Sequence, residues 1–374
     1  MFVASLGYGV VVPALPRASG ASASELSIIY ASYAAAKIAA QIPGGVWVDR
    51  KGARVVLIVA LTLYVASLLA FLLPFGPIWF AFVRAVEGMA TGFVYPAVFA
   101  RVLLRSSASG KSLGTAVGVG SSGLLLGPVL GALLGKDGLT KPIAIAAGLG
   151  AIVLLLAIVD RTKGAAVENR RTVKGEVSAL LALARDGAFV ATMLPIGFNK
   201  LTFSSYQGLL PLVGPKELDL GATGIALLFV LIGVVFAIAQ PIGGALVDRY
   251  RARSIVLATM PLLLGALAAM ALPGRAASFA VLFGVHIFAQ SVVFTSTMKH
   301  AAQAHASAAT YGGVFGLLAT LTDTMTIVGP LVFLNVYSVA GRTTFALMAA
   351  VGVAFALPFL RASGGGSARD SGSG

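Results

Sequence analysis

The segment Gln41-Ile-Pro-Gly-Gly-Val-Trp-Val-Asp-Arg-Lys-Gly-Ala-Arg54 recurs 199 residues later as Gln240-Pro-Ile-Gly-Gly-Ala-Leu-Val-Asp-Arg-Tyr-Arg-Ala-Arg253. Eight of the fourteen positions are identical. In each copy the charged part closes one long apolar stretch and opens another. A repeat at this separation means two homologous halves, each several membrane spans long.

Composition agrees. The chain is 58% hydrophobic and 11% charged over 374 residues, more apolar surface than a water-soluble protein can bury. The apolar stretches lack strand alternation and read as helices, which satisfy their own backbone hydrogen bonds in hydrocarbon. The expected fold is therefore an all-α membrane protein. There are no cysteines, which excludes disulfides and Cys-ligated metals. The three histidines form no ligand spacing. The net charge of +14 would suggest nucleic acid in a soluble protein, but here the cations sit mainly in short loops and read as a topology signal.

Twelve spans are expected, near 1–16, 25–48, 54–74, 77–104, 111–135, 141–159, 187–213, 221–247, 254–273, 276–299, 309–335 and 342–360. The first is short and reads as the outer part of a span whose beginning is missing. The division is an N-terminal six-helix half (1–159), a polar and basic linker (160–186), a C-terminal six-helix half (187–360) and a flexible tail (361–374). Six spans separate the two copies of the repeat, so both copies lie on one side and the halves are parallel repeats. With the copies inside, eighteen Lys and Arg fall on inner segments and six on outer ones. This places both termini and the linker in the cytoplasm and the chain in the plasma membrane.

The repeated charges carry a mechanism. Gly45 and Gly244 permit close helix approach. Asp49 and Asp248, at helix C-termini, oppose the dipole unless compensated. Arg50 and Arg54, or Arg249 and Arg253, can supply that compensation, and can bridge to a neighbouring helix end. Such a cluster can lock helices in one conformation and release them in another, which makes it a candidate cytoplasmic gate.

This element resembles the loop after helix 2 of the major facilitator superfamily. Three further segments narrow the resemblance. Leu6-Gly-Tyr-Gly-Val-Val-Val-Pro-Ala-Leu-Pro16 resembles the helix-1 signature of twelve-helix drug–proton antiporters. Phe80-Ala-Phe-Val-Arg-Ala-Val-Glu-Gly88 resembles the helix-4 motif, with Glu87 where Gln is usual. Gly123-Leu-Leu-Leu-Gly-Pro-Val-Leu-Gly131 resembles the helix-5 antiporter motif, with Ala132 in place of its final Gly. Gly123, Gly127 and Gly131 recur every four residues and give a smooth packing face, and Pro128 permits bending there. The resemblance implies two six-helix pseudo-symmetric halves, alternating access, a role for Arg84 in proton transfer or substrate contact, and a helix-5 element that seals the seam between halves.

Charges inside hydrocarbon are costly and face a cavity or a partner. By these spans they are Lys37, Arg84, Glu87, Lys200 and Asp323, with His286 beside them. Arg84 and Glu87 stand three residues apart on one helix and can pair. Burial favours the neutral form of a carboxylic acid and a guanidinium favours the charged form, so a change of exposure can load and unload a proton. Glu87, Asp323 and Arg84 are the candidate proton-coupling residues. Asp323 can bridge to Lys37 or to Lys200. Asn199, Lys200, Tyr206 and Gln207 give span seven a polar face. With Lys37, Arg84, His286 and Gln290 they form the candidate substrate-binding set, and the excess of cations points toward an anionic substrate.

No nucleophile–base set, phosphate loop or metal cluster is evident, so the chain is not read as an enzyme. The expectation is a monomeric secondary transporter of a small organic molecule. It requires no cofactor and no nucleic acid, contacts membrane lipid, and uses the proton gradient for efflux. The alternatives are an organic-anion or sugar symporter or facilitator on the same fold, and a lipid flippase or transporter-like receptor.

Overall fold

The computed structural model describes residues 1–19, 23–73, 75–105, 109–134, 140–160, 173–305 and 310–362. Among the described residues its only regular secondary structure is helix. The helices are α1 (Phe2–Ser19), α2 (Ala23–Lys51), α3 (Ala53–Ala70), α4 (Pro77–Arg105), α5 (Gly110–Leu134), α6 (Thr140–Val159), α7 (Val173–Leu183), α8 (Gly187–Glu217), α9 (Ala222–Arg249), α10 (Ala252–Ala269), α11 (Ala276–His305), α12 (Tyr311–Asp323), α13 (Met325–Ala340) and α14 (Thr343–Ala362). Counting α12 with α13 as one span and setting α7 aside, they give the twelve spans expected from the sequence.

One span and the linker carry detail beyond the expectation. The stretch 309–335 is carried by α12 and α13, which form one span; the helical ladder is irregular at Thr324, whose backbone stays helical at φ −57° and ψ −33°. Threonines at 320, 322, 324 and 326 crowd this point, and the Thr326 hydroxyl donates to the Asp323 carbonyl at 2.6 Å. Such local side-chain bonds compete with the helical ladder. The linker 160–186 is also not all loop. It contains α7, and Asp186 caps α8 by accepting from the Phe189 amide at 2.8 Å. Residues 161–172 and the tail beyond 362 lie outside the described residues.

The chain packs as two units. The first takes Met1–Ala108, Ala116–Leu180 and Ala306–Thr320. Its core joins Tyr64, Leu68, Phe71, Phe80, Val83 and Ile143, and the Tyr64 hydroxyl donates to the Val3 carbonyl at 2.6 Å. The second takes Ser109–Thr115, Leu181–His305 and Leu321–Gly374. It buries Phe198, Tyr206, Phe279, Phe283, Phe345 and Phe359. Each unit therefore contains a short segment from the other half of the sequence. Leu155, Leu156, Val159, Leu227, Val281 and Val339 are exposed. In water these would be a liability; in lipid they are the ordinary outer face.

The turn between the repeated helices is built differently in the two copies. Gly52 takes φ +83°, a left-handed value open to glycine. Its counterpart Arg251 takes φ −64°, which suits any residue. One position of the motif has thus changed its backbone along with its side chain.

Candidate functional site

A helix begins with amide N–H groups that have no partner inside the helix, and together they carry partial positive charge. In this chain the two motif aspartates bind such groups. Asp49 accepts from the Gly312 amide at 2.7 Å through Oδ1 and from the Gly313 amide at 2.6 Å through Oδ2. Both amides belong to the first turn of α12. Asp248 accepts from the Gly110 amide at 2.7 Å and the Lys111 amide at 3.0 Å, and from the Ser109 hydroxyl at 3.1 Å. These residues lie at the start of α5. Spans five and eleven are equivalent in the duplication, so each copy of the motif clasps the corresponding helix of the opposite half.

The motif glycines make the clasps possible. A Cβ on Gly45 would collide with the Gly312 carbonyl, and a Cβ on Gly244 with the Gly110 carbonyl. Only bare backbone allows these helix ends to come down onto the aspartates.

Of the two roles read for the motif arginines, the structure shows the bridge to a neighbouring helix end. Arg54 donates to the carbonyls of Ala157 at 3.2 Å and Ile158 at 2.5 Å, at the C-terminal end of α6. Arg253 donates to the Leu360 carbonyl at 3.2 Å, near the end of α14. Both neutralise helix C-termini, as the dipole favours. Arg50 pairs with Glu176 of α7 at 3.1 Å, and Arg249 is exposed. Among the described residues, helix starts distant in sequence supply amide donors to both aspartates.

The clasps also differ. Asp248 forms an ion pair with Lys299 of α11. Among the described residues no cation is within ion-pair reach of Asp49. Asp49 lies beyond the apolar span, which ends at Val48. Burial pushes its carboxyl up to about 7, Glu176 adds to the rise, and the Gly313 and Gly312 amides only partly oppose it.

Deeper in the first unit, Arg84 and Glu87 of α4 are both fully buried. Arg84 Nη1 donates to Glu87 Oε2 at 2.7 Å. The other atoms of the pair, Arg84 Nε and Nη2 and Glu87 Oε1, have no hydrogen-bond partner among the described residues. The rings of Tyr8 and Tyr33 lie 4.9 and 4.6 Å from the guanidinium carbon and 4.7 Å from each other, so aromatic faces cover the cation. Lys37 Nζ stands 5.1 Å from the Tyr95 ring.

In the second unit Lys200 pairs with Asp323 at 3.0 Å. Of the two bridges left open by the sequence, this is the one within the unit. Asp323 ends α12, beside the irregularity at Thr324. His286 Nδ1 meets the Leu263 carbonyl at 3.0 Å, so Nδ1 carries the proton. Nε2 then accepts from the Tyr206 hydroxyl at 2.5 Å. Both ring nitrogens are committed to the protein. Gln290 Nε2 donates to the Asn199 carbonyl at 3.2 Å and to the Thr202 hydroxyl. Asn199 Nδ2 and Gln290 Oε1 are buried without partners. Gln207 is exposed and lies off this buried face.

Gly123 and Gly127 pack α5 against α1, where a Cβ would strike the carbonyls of Phe2 and Leu6. The side chain of Pro128, and Gly131, lie outside the described residues.

Residues 1–330 match the profile of the Major Facilitator Superfamily. The chain belongs to the major facilitator superfamily. Its relatives include Multidrug resistance protein 2 of Bacillus subtilis, 27% identical over 46% of this chain and 44% of that protein. Multidrug resistance protein 1 of the same organism is 24% identical over 67% and 64%. The quinolone resistance protein NorA of Staphylococcus aureus is 26% identical over 42% of each. The chain thus spans about half the length of these relatives. Their names agree with the resemblance read from the helix-1 and helix-5 segments. Among solved structures, the human organic anion transporter MFSD10 superposes with a TM-score of 0.77 at 18% identity, covering 96% of both chains. The E. coli fucose:proton symporter FucP superposes with a TM-score of 0.74 at 14% identity, covering 96% of this chain and 95% of that one. These two likenesses show the twelve-helix fold of this superfamily member.

Several residues of the site were missed in the sequence. Tyr8 and Tyr33 sit in ordinary apolar stretches and carry no signal of their own. Gly312 and Gly313 were visible as a Gly-Gly pair at a helix start, a signature of close backbone approach. Lys299 was counted only as a loop charge, and Glu176 only as part of a polar linker.

Proposed function

We propose that this chain is a proton-coupled antiporter that exports a small organic solute by alternating access. The doubled-motif ends lie on the cytoplasmic side and the clasps are its cytoplasmic gate. The observation that carries the reading is the Arg84–Glu87 pair. Glu87 is wholly buried, bound to its arginine through one oxygen only, and its second oxygen has no donor. A proton on that second oxygen would neutralise the carboxyl without breaking the fold, and rehydration of the site would release it. The tyrosine faces hold the guanidinium in place as the acid changes charge. Lys200 and Asp323, at the irregularity in span eleven, are the second candidate coupling pair.

The gate reading rests on the doubled clasp. Each aspartate binds a helix start contributed by the opposite half of the sequence, so opening the transporter must break both sets of bonds. The buried Asn199 and Gln290, with the partly exposed Lys200 beside them, suit a solute with hydrogen-bonding groups, and the gradient serves as the energy source.

One observation favours a second reading, transport of an organic anion. Arg84 uses only Nη1 for Glu87. Its Nε and Nη2 edge, the edge that grips a carboxylate with two parallel bonds, has no partner. Purified protein in liposomes under an imposed pH gradient separates the readings. Uphill flux of lipophilic amines or neutral drugs against the proton flow supports antiport. Flux of carboxylates in the direction of the protons supports the second reading. Flux indifferent to the gradient contradicts both.

A further inference from the structure

We propose that helix α7, in the segment joining the two halves, is a working part of the first clasp, with Glu176 and Leu180 as positioning residues for Asp49. This rests on the reading of the clasps as a gate and assigns the linker a task within it. On sequence the linker is a tether between homologous halves. In the structure α7 carries two buried side chains among its described residues, Glu176 at 3% and Leu180 at 6% exposure. They stand four residues apart and therefore on one helix face.

That face touches the clasp at two points. Glu176 Oε2 accepts from Arg50 Nε at 3.1 Å, and Arg50 is the residue next to Asp49. Leu180 packs on Gly313. A Cβ built on Gly313 would lie 3.0 Å from Asp49 Oδ2 and 3.3 Å from Leu180 Cδ1, so the aspartate and the leucine close on the same glycine. One contact fixes the motif loop and the other presses the start of α12 toward Asp49.

The chemistry gives Glu176 a specific purpose. A buried carboxylate is costly unless paired, and Arg50 is the only ion-pair partner found for it among the described residues. Without Glu176, Arg50, the residue next to Asp49, could turn to it and compete with the α12 amides for its oxygens. With Glu176 in place, Arg50 is drawn away and both Asp49 oxygens remain on Gly312 and Gly313. The second clasp has another solution, since Lys299 supplies a cation directly to Asp248. The two gates are therefore unequal: one is self-contained, and the other depends on the linker.

The chain has no native cysteine, which allows a direct test. Spin labels go on Lys51→Cys and Arg251→Cys, two exposed positions next to the motif loops, in the full-length protein in nanodiscs. Distances are measured by pulsed electron resonance. Losing one charge-assisted bond shifts a two-state equilibrium by about tenfold. Glu176→Gln and Leu180→Ala should each raise the long-distance population by roughly that factor. The exchanged pair Arg50→Glu with Glu176→Arg should return most of it, a rescue that a merely structural role for Glu176 would not produce. Asp49→Ala serves as the reference. If Asp49→Ala lengthens the distance while both α7 variants leave it unchanged, the linker proposal is wrong and the gate reading stands. If Asp49→Ala also changes nothing, the gate reading fails and takes this proposal with it.

Discussion

Asp49 and Gly313 stand 264 positions apart in the chain and meet through a 2.6 Å hydrogen bond. The bond joins the first copy of the repeated motif to the start of the helix equivalent to α5 in the second half. Asp248 and Gly110 make the reciprocal contact at 2.7 Å. The duplication thus produced an exchange, in which each half holds a helix end of the other.

The glycine beneath each clasp should be intolerant of any side chain. Gly45→Ala places a methyl on the Gly312 carbonyl, and Gly244→Ala places one on the Gly110 carbonyl. Both contacts are backbone and cannot be relieved by a rotamer change. Each variant should keep its melting temperature within a few degrees, while the clasped population falls about tenfold or more. Spin-label distances beside a thermal melt would check this. A variant that unfolds instead would make these glycines structural.

Asp49 gives the first clasp a pH dependence whose sign follows from its carboxyl. Docking raises that group from the ordinary carboxylate range to about 7, so the docked state binds its proton more tightly than the undocked one. The docked state is favoured as pH falls and loses that advantage as pH rises through about 7. The charged groups beside it are Arg50 and Glu176. Asp49→Asn, neutral at every pH, should flatten the dependence between about pH 4 and pH 7 and slow turnover without loss of substrate binding. Turnover and binding measured across that range would test both parts, and unchanged turnover would reduce the motif to a topology signal.

At the buried pair the two obvious substitutions should diverge. Glu87→Ala strands a guanidinium with no counter-ion, a loss of about 3–5 kcal/mol, and should lower the yield of folded protein. Glu87→Gln retains an acceptor for Arg84 Nη1 and should fold. Detergent-solubilised yield and thermal melting distinguish them, and equal stability would show that the pair is hydrated rather than dry.

Lys200 and Asp323 should depend on each other. Asp323→Asn alone leaves a partly exposed ammonium, and Lys200→Met alone leaves a carboxylate at the irregularity in span eleven. The double variant removes both charges and should be more stable than the sum of the single effects implies, by about 1–3 kcal/mol. A double-mutant cycle on thermal stability measures this. Additive effects would mean that the 3.0 Å contact contributes nothing.

The span count, the duplication and the buried acids were legible because apolar length and rare charges show in a single strand of sequence. Three things were not. Arg54 and Arg253 serve the ends of α6 and α14, about a hundred residues away, and nothing local marks which helix ends they reach. The linker's α7 was hidden because, among the described residues, its buried face is Glu176 and Leu180, too short a pattern to register as periodicity. The local irregularity of span eleven at Thr324 was masked by continuous hydropathy, although alternate threonines around Asp323 were the clue. In each case the missing information was a partner elsewhere in the fold.

The central claim is that Glu87 couples solute movement to the proton. Glu87→Gln protein in liposomes should still exchange labelled for unlabelled solute in counterflow at a rate near that of the parent. It should not build a solute gradient when a pH gradient is imposed. Uphill accumulation by Glu87→Gln equal to that of the parent protein would contradict the account.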